Sequence, residues 1–227
     1  MTTFELLSPD PRTRLLGPAQ AEAVAAALRG GGLAVLPTET GYLLAAAATS
    51  IDAVRRAFAV KQRDLAHPMH ITCASVPMAA DYAVLTAEAR LLLATFTPGP
   101  LSVVVWQTDR LPDAYVTLNG TVGIRIPDHP ATRQVIAALG QPVTATSLNR
   151  SGAESRPVEA AVLGSFDWQG LAVVPVVLDN DAIAYRDPST LVRLTGPDVE
   201  VLRTGPVSTE AVRAALTRAA VPAPPAG

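Results

Sequence analysis

Between Gly30 and Ala48 the chain reads GGGLAVLPTETGYLLAAAA, two short apolar runs parted by a turn that carries hydroxyls and a carboxylate. Runs this short, bounded by glycine and proline, read as buried strands: residues 33–36, closed by Pro37, and residues 43–48. A connection between buried strands normally needs only two to five residues of the Gly, Asn or Asp type. Here it holds Thr38, Glu39, Thr40 and Tyr42 instead. The turn is therefore either a polar surface turn or a place where chemistry is done.

The rest of the chain alternates helix and strand signals, which predicts a single α/β domain: a twisted mixed sheet flanked by helices around a large concave cavity. Residues 1–17 read as an N-terminal arm able to pair as an edge strand, with Pro9 and Pro11 limiting regular structure. Residues 18–28 are an alanine-rich helix with proline in its first turn, stopped by Gly30, Gly31 and Gly32. Those glycines precede a strand, whereas phosphate-cradling glycines follow a strand and open a helix. Ser50 caps a helix to about Val60, leaving Lys61 and Arg63 at its C-terminal end. A short strand follows His67, Thr86 caps a helix to Phe96, and Pro98-Gly99-Pro100 turns the chain into a strand over residues 101–106. Residues 122–127 form a strand in which alternation places Arg125 on the face of Gly123. Residues 130–139 are helical, and a strand over 142–145 runs into Thr146, Ser147, Asn149, Ser151 and Gly152, hydroxyl-rich as an anion cradle would be. Residues 157–163 are helical; strands cover 171–178, 190–194 and 199–203. Ser208 caps a last helix to about Arg218, and residues 220–227 read as a disordered tail behind a domain spanning 18–219.

At 227 residues the chain suits one domain with a substantial core. Its net charge of −2 supplies no global field toward nucleic acid or anionic lipid, so any anion site must be a local cluster of cations. Cys73 is the only cysteine, which excludes an internal disulfide and a multi-thiolate zinc site. It reads as a small buried hydrophobe. His67 and His70 straddle a proline with no third ligand near in sequence, so no protein-held metal is expected. No signal peptide and no membrane-length apolar stretch is visible, which points to the cytoplasm.

Arg125, inside an apolar strand, must be paired with an acid or aimed at an anionic ligand. Its truncation is expected to spare the fold unless an acid lies beside it. Pro37-Thr-Glu-Thr40 with Tyr42, Lys61-Gln-Arg63, Pro98-Gly-Pro-Leu-Ser102, Gly123-Ile-Arg125-Ile-Pro127, Ser147-Leu-Asn149-Arg-Ser-Gly152, Pro188-Ser-Thr190 and Arg203-Thr-Gly205 follow one another in that order. In order and spacing they resemble the YrdC-like domain of the threonylcarbamoyl-AMP synthase (TsaC) family, over about residues 19–206. Gly41-Tyr42, Thr146-Ser147-Leu148, His67, Thr72 and Asp179-Asn180-Asp181 depart from the usual synthase pattern, and the first two look more like its YciO branch.

The resemblance implies a nucleotidyltransferase that joins L-threonine, bicarbonate or CO2, and ATP into threonylcarbamoyl-AMP, with pyrophosphate released. Other proteins would then transfer the group to adenosine 37 of tRNA. By position, Lys61, Arg63 and Arg125 would be catalytic. Arg63, His67, Thr121, Ser147, Asn149, Ser155 and Arg203 would hold ATP. Thr40, Thr72, Arg125, Ala145 and Ser189 would hold L-threonine. Mg2+ would bridge the phosphates without dedicated protein ligands. The alternative is a YciO-like paralogue with lost or altered synthase activity, or one that binds tRNA or double-stranded RNA.

Overall fold

The structure, a computed structural model, describes residues 2–64, 67–112, 115–148 and 160–220. Its strands are β1 (Thr3–Leu7), β2 (Ala34–Thr38), β3 (Gly41–Ala45), β4 (His70–Thr72), β5 (Ala83–Val84), β6 (Leu101–Gln107), β7 (Thr121–Arg125), β8 (Val143–Ser147), β9 (Val173–Val177), β10 (Thr190–Arg193) and β11 (Glu200–Arg203). Interleaved with them are α1 (Pro18–Arg29), α2 (Ile51–Lys61), α3 (Val76–Tyr82), α4 (Ala87–Phe96), α5 (Pro130–Leu139), α6 (Ala160–Gly164) and α7 (Thr209–Ala220). The strands form one mixed sheet in the order β1-β9-β2-β3-β8-β4-β7-β6-β10-β11, with β5 paired to β6.

Each face of the sheet has its own cover. On one, α1 and α5 lay Val24, Ala25, Leu28, Val135 and Ile136 over Leu36, Ala45, Ala47 and Val143. On the other, Phe58 of α2 and Leu92 and Leu93 of α4 belong to the larger core around Leu44, Ile71, Val103, Ile124 and Val176. Burying a residue such as Leu28 or Leu36 contributes roughly 1.5–3 kcal/mol. β2 and β3 are covered on both sides, which is why their sequences run apolar without alternation.

The helix ends follow their capping chemistry. Ser50, Ser75 and Thr86 accept from the backbone N–H of Ala53, Met78 and Ala89, and Gly140 closes α5 in the left-handed region at φ 76°. Helix α3 is absent from the expectations above, although Ser75 and Pro77 are an N-cap and an early proline of the usual kind. Its seven residues are too short for a periodic apolar stripe to stand out.

Pro37 does not close β2; it lies within the strand, opposite Tyr42. Pairing of β2 with β9 is confined to Val35 and Val176, so no ladder donor is required from residue 37 on that side. Likewise β8 runs on through Thr146 and Ser147, which are strand residues and not the start of a loop. β3 stops at Ala45, with Ala47 making only an isolated bridge to Val143. The N-terminal arm supplies β1, an edge strand parallel to β9. The expected helix start at 157–159 and the tail at 221–227 lie outside the described residues.

Candidate functional site

The turn singled out in the sequence is the tip of the β2–β3 hairpin, where Thr38 faces Gly41 and only Glu39 and Thr40 lie between. Thr38 Oγ1 donates to Gly41 O at 2.6 Å and accepts from Thr40 N at 3.2 Å, so the first threonine shapes the tip. Glu39 O accepts from both Ala184 N and Tyr185 N at 2.9 Å, which holds the segment before Pro188 against the hairpin.

Arg125, at the end of β7, reaches this tip. Its Nη2 donates to Glu39 Oε1 at 2.9 Å and to Thr40 Oγ1 at 2.6 Å. Glu39 Oε2 accepts in turn from Asp128 N at 2.9 Å. Both partners of the ion pair are buried, with side chains 8% and 5% exposed. Of the alternatives for a charge on this strand, an acid partner is present. The expectation that truncating Arg125 spares the fold is therefore corrected: it would leave Glu39 buried without its counter-charge.

Strand register extends the site sideways. Thr72 on β4 and Ser102 on β6 lie directly beside Arg125, so the three side chains share one face. Ser102 Oγ pairs with Ser189 Oγ at 2.8 Å, and both are buried. Arg203, at the end of β11, donates through Nε to Ser189 O at 3.0 Å and stands close enough to Arg125 for the two cations to repel. Burial and that repulsion lower the pKa of Arg203. Arg125 Nε and Thr72 Oγ1 are buried and have no hydrogen-bond partner among the described residues. Two orphaned polar atoms on adjacent strands at the same register are what a site awaiting a polar ligand would show.

The loop joining β11 to α7 locks Ser189 in place. Thr190 Oγ1 donates to Val207 O at 2.6 Å and accepts from Gly205 N at 2.9 Å. A Cβ on Gly205 would stand 2.8 Å from Thr190 N and collide with Pro188 O, all backbone atoms. Gly205→Ala should thus destabilise the fold by about 1–3 kcal/mol and displace Ser189. Chemical denaturation of the variant measures the loss, and an unchanged midpoint would show that the backbone around Ser189 accommodates the added methyl without cost.

A second group gathers at the C-terminal end of α2. Lys61 is buried and donates to Ser147 O at 2.6 Å. Burial, with Arg63 nearby, brings its pKa down to about 8. Gln62 ends the helix in the left-handed region, and Arg63 folds back to donate to His67 O at 2.7 Å and Pro68 O at 3.2 Å. Arg63 thus ties down the loop before β4 and still has N–H groups left over, since a guanidinium carries five. Burial lowers its pKa as well.

Not every expected residue joins these groups. Through its backbone oxygen His67 meets Arg63, while the residue itself is exposed. Thr121 shares the face of Arg125 but lies four residues along β7, about 13 Å away at strand spacing, and its hydroxyl closes a turn on Leu118 O at 2.7 Å. Ala145 sits in β8 opposite His70. Asn149 and Ser155 lie outside the described residues. Conversely Glu39, Ser102 and Thr38 are part of the site without having been assigned to it. Glu39 stands inside the Pro-Thr-Glu-Thr element itself, and a buried Arg is the signal that it needed an acid. Cys73 is buried, and burial pushes its thiol pKa up, far from a reactive thiolate. Among the described residues there is no group of three or more His, Cys, Asp or Glu that could hold a metal, and no helix is long and apolar enough to cross a membrane.

The fold and site define an α/β domain with a cationic, hydroxyl-lined strip across one face of its sheet. The chain belongs to the family described as Telomere recombination (Sua5, YciO, YrdC), whose model it matches over residues 26–205. A Mycobacterium tuberculosis (strain H37Rv) relative is 34% identical over 215 residues, 94% of each chain. The threonylcarbamoyl-AMP synthase of Bacillus subtilis (strain 168) is 30% identical over 94% of this chain and 59% of its own. Among solved structures, Pyrococcus abyssi Sua5 complexed with L-threonine superposes with a TM-score of 0.83 at 27% identity, covering 95% of this chain and 61% of that one. The chain thus spans about three fifths of those two longer relatives. Escherichia coli YciO shares the fold, with a TM-score of 0.77 at 22% identity.

Proposed function

We propose that the protein is an L-threonylcarbamoyladenylate synthase of the cytoplasm, condensing L-threonine, bicarbonate or CO2, and ATP to threonylcarbamoyl-AMP and pyrophosphate for modification of tRNA adenosine 37. The observation that carries this reading is the pair of orphaned buried atoms, Arg125 Nε and Thr72 Oγ1, set beside Thr40 and the Ser102–Ser189 pair. An amino acid brings both a carboxylate for a guanidinium and donors for hydroxyl oxygens. Arg125 and Thr40 would bind its carboxylate end, with Thr72, Ala145 and Ser189 beside them, and Arg203 would close over the nucleotide.

The chemistry needs little covalent help from the protein. The carbamate on the threonine nitrogen must sit in line with the α-phosphorus of ATP, whose α–β bond breaks as the new P–O bond forms, so catalysis rests on positioning and charge. Lys61 and Arg63 would hold the phosphates, with His67, Thr121, Ser147, Asn149 and Ser155 toward the nucleotide. Mg2+ would arrive on ATP as part of the substrate. The product would pass to proteins that transfer the threonylcarbamoyl group.

Pyrophosphate release, with L-threonine omitted or replaced by L-serine, tests this directly. Release should depend on threonine, bicarbonate and ATP together, with serine poorer. Tight, salt-sensitive binding of tRNA with no threonine-dependent release would replace the synthase reading with that of an RNA-binding paralogue.

A further inference from the structure

His70 opens β4 two residues before Thr72, so alternation sets its side chain on the face that carries Arg125. The ring rests on Gly123 of the neighbouring strand: a Cβ there would stand 2.5 Å from His70 Cγ and 2.8 Å from Nε2. The glycine of Gly-Ile-Arg is thus the seat of an imidazole. Unlike Thr72, which is fully buried, His70 keeps part of its surface open.

The two other histidines of the chain make the contrast. His67 is exposed. His129 is a structural cap, with Nδ1 accepting from Thr132 N and Nε2 facing Asp179 Oδ2 at 3.1 Å. The ring of His70 has no hydrogen bond to a described residue, and the charges that act on it are those of Arg203 on β11, Arg63 after α2 and Arg125 on β7. On β8, the strand on its other side, the register partner of His70 is Ala145. Deep seating together with the three arginines pushes its pKa down to about 4, so the ring is neutral near pH 7.

Arginines from separate segments that close on one neutral ring suit a site that fills with negative charge. In the empty site Glu39 balances Arg125, and a proton on His70 would add to the charges of Arg63 and Arg203; an oxyanion between the arginines removes that penalty. We propose that His70 is a further ligand-facing residue of this site, an imidazole that gains a proton when a phosphate or carboxylate oxyanion settles among Arg63, Arg125 and Arg203. This rests on reading the site as one for ATP and L-threonine, and adds proton uptake to their binding. A ring that only fills space above Gly123 would titrate alike with and without ligand.

The ring C–H resonances of three histidines are few enough to follow by NMR from pH 4 to 8, with the His70 signal identified by its loss in His70→Gln. The His70 midpoint should lie below about 5 in the free protein and rise by at least about one pH unit with saturating ATP or L-threonine. Lowering the pH from 7.5 to 4.5 should, for a rise of about one unit from a free midpoint near 4, tighten ligand binding about threefold more in the wild type than in His70→Gln, a comparison that cancels the ligand's own titration. Each ligand is added separately, so the phosphate and carboxylate sources are told apart. Binding seen elsewhere in the spectrum with an unmoved His70 midpoint overturns the proposal and leaves the synthase reading standing. If inorganic pyrophosphate moves the midpoint while ATP and threonine fail to bind, the proton link holds and the synthase reading falls. If none of the three binds, both are overturned. The wild-type titration does not depend on the variant folding.

Discussion

Arg125→Met should abolish threonine-dependent pyrophosphate release and also lower the stability of the fold by about 3–5 kcal/mol, the usual cost of removing one partner from a buried ion pair. The reason is Glu39. Its Oε1 accepts from Arg125 at 2.9 Å, its side chain is 5% exposed, and the remaining partner, Asp128 N, is a neutral donor. A single variant would therefore confuse a lost ligand contact with a damaged hairpin. The combination Glu39→Gln with Arg125→Met separates them. A glutamine amide still accepts from Asp128 N, so the double variant should regain most of the lost stability, while activity stays absent because nothing remains to meet a carboxylate. Urea denaturation and the pyrophosphate assay on the three proteins give the answer. An Arg125→Met protein that turns over threonine at the normal rate per folded molecule would show that the ion pair is a structural strut and nothing more.

That coupling shows where the sequence was readable and where it was not. Short apolar runs, capping residues and glycine stops were enough to find most strands and helices, because each is a local property of a few neighbouring residues. Helix α3 escaped because its apolar pattern spans too few turns, and Pro37 misled because a proline stops a strand only where the ladder needs its N–H. Arg125 was visible as a charge on an apolar strand, but its partner lies 86 residues earlier. The Ser102–Ser189 pair joins residues 87 apart, across the parallel β6–β10 ladder. Such contacts are fixed by strand order and register, which no local pattern specifies. His70 was hidden for the same reason. Its importance comes from the bare Gly123 beside it and from arginines on three other segments, not from its own spacing to His67.

Lys61→Met should weaken ATP binding by at least about tenfold while leaving L-threonine binding nearly unchanged. Lys61 stands with Arg63 at the end of α2, against the Ser147 carbonyl, and threonine is expected on the Arg125 side. Methionine reproduces the apolar stem of lysine and lacks only its terminal ammonium, so the helix end should stay packed. The pH dependence provides an independent check with a definite sign. Burial brings the Lys61 pKa down from 10.5 to about 8. If ATP binds only the ammonium form, its affinity falls about tenfold between pH 7 and 9, and Lys61→Met abolishes that fall. Fold stability should move the opposite way. Between pH 8 and 10.5 the unfolded chain holds a proton that folded Lys61 has lost, so this group's contribution to stability rises with pH across that window. Calorimetric titration of ATP and of L-threonine at pH 7 and 9, beside urea melts at pH 8 and 10, tests both signs on the same two proteins. A variant that loses threonine affinity more than ATP affinity would reverse the placement of the two substrates along the sheet.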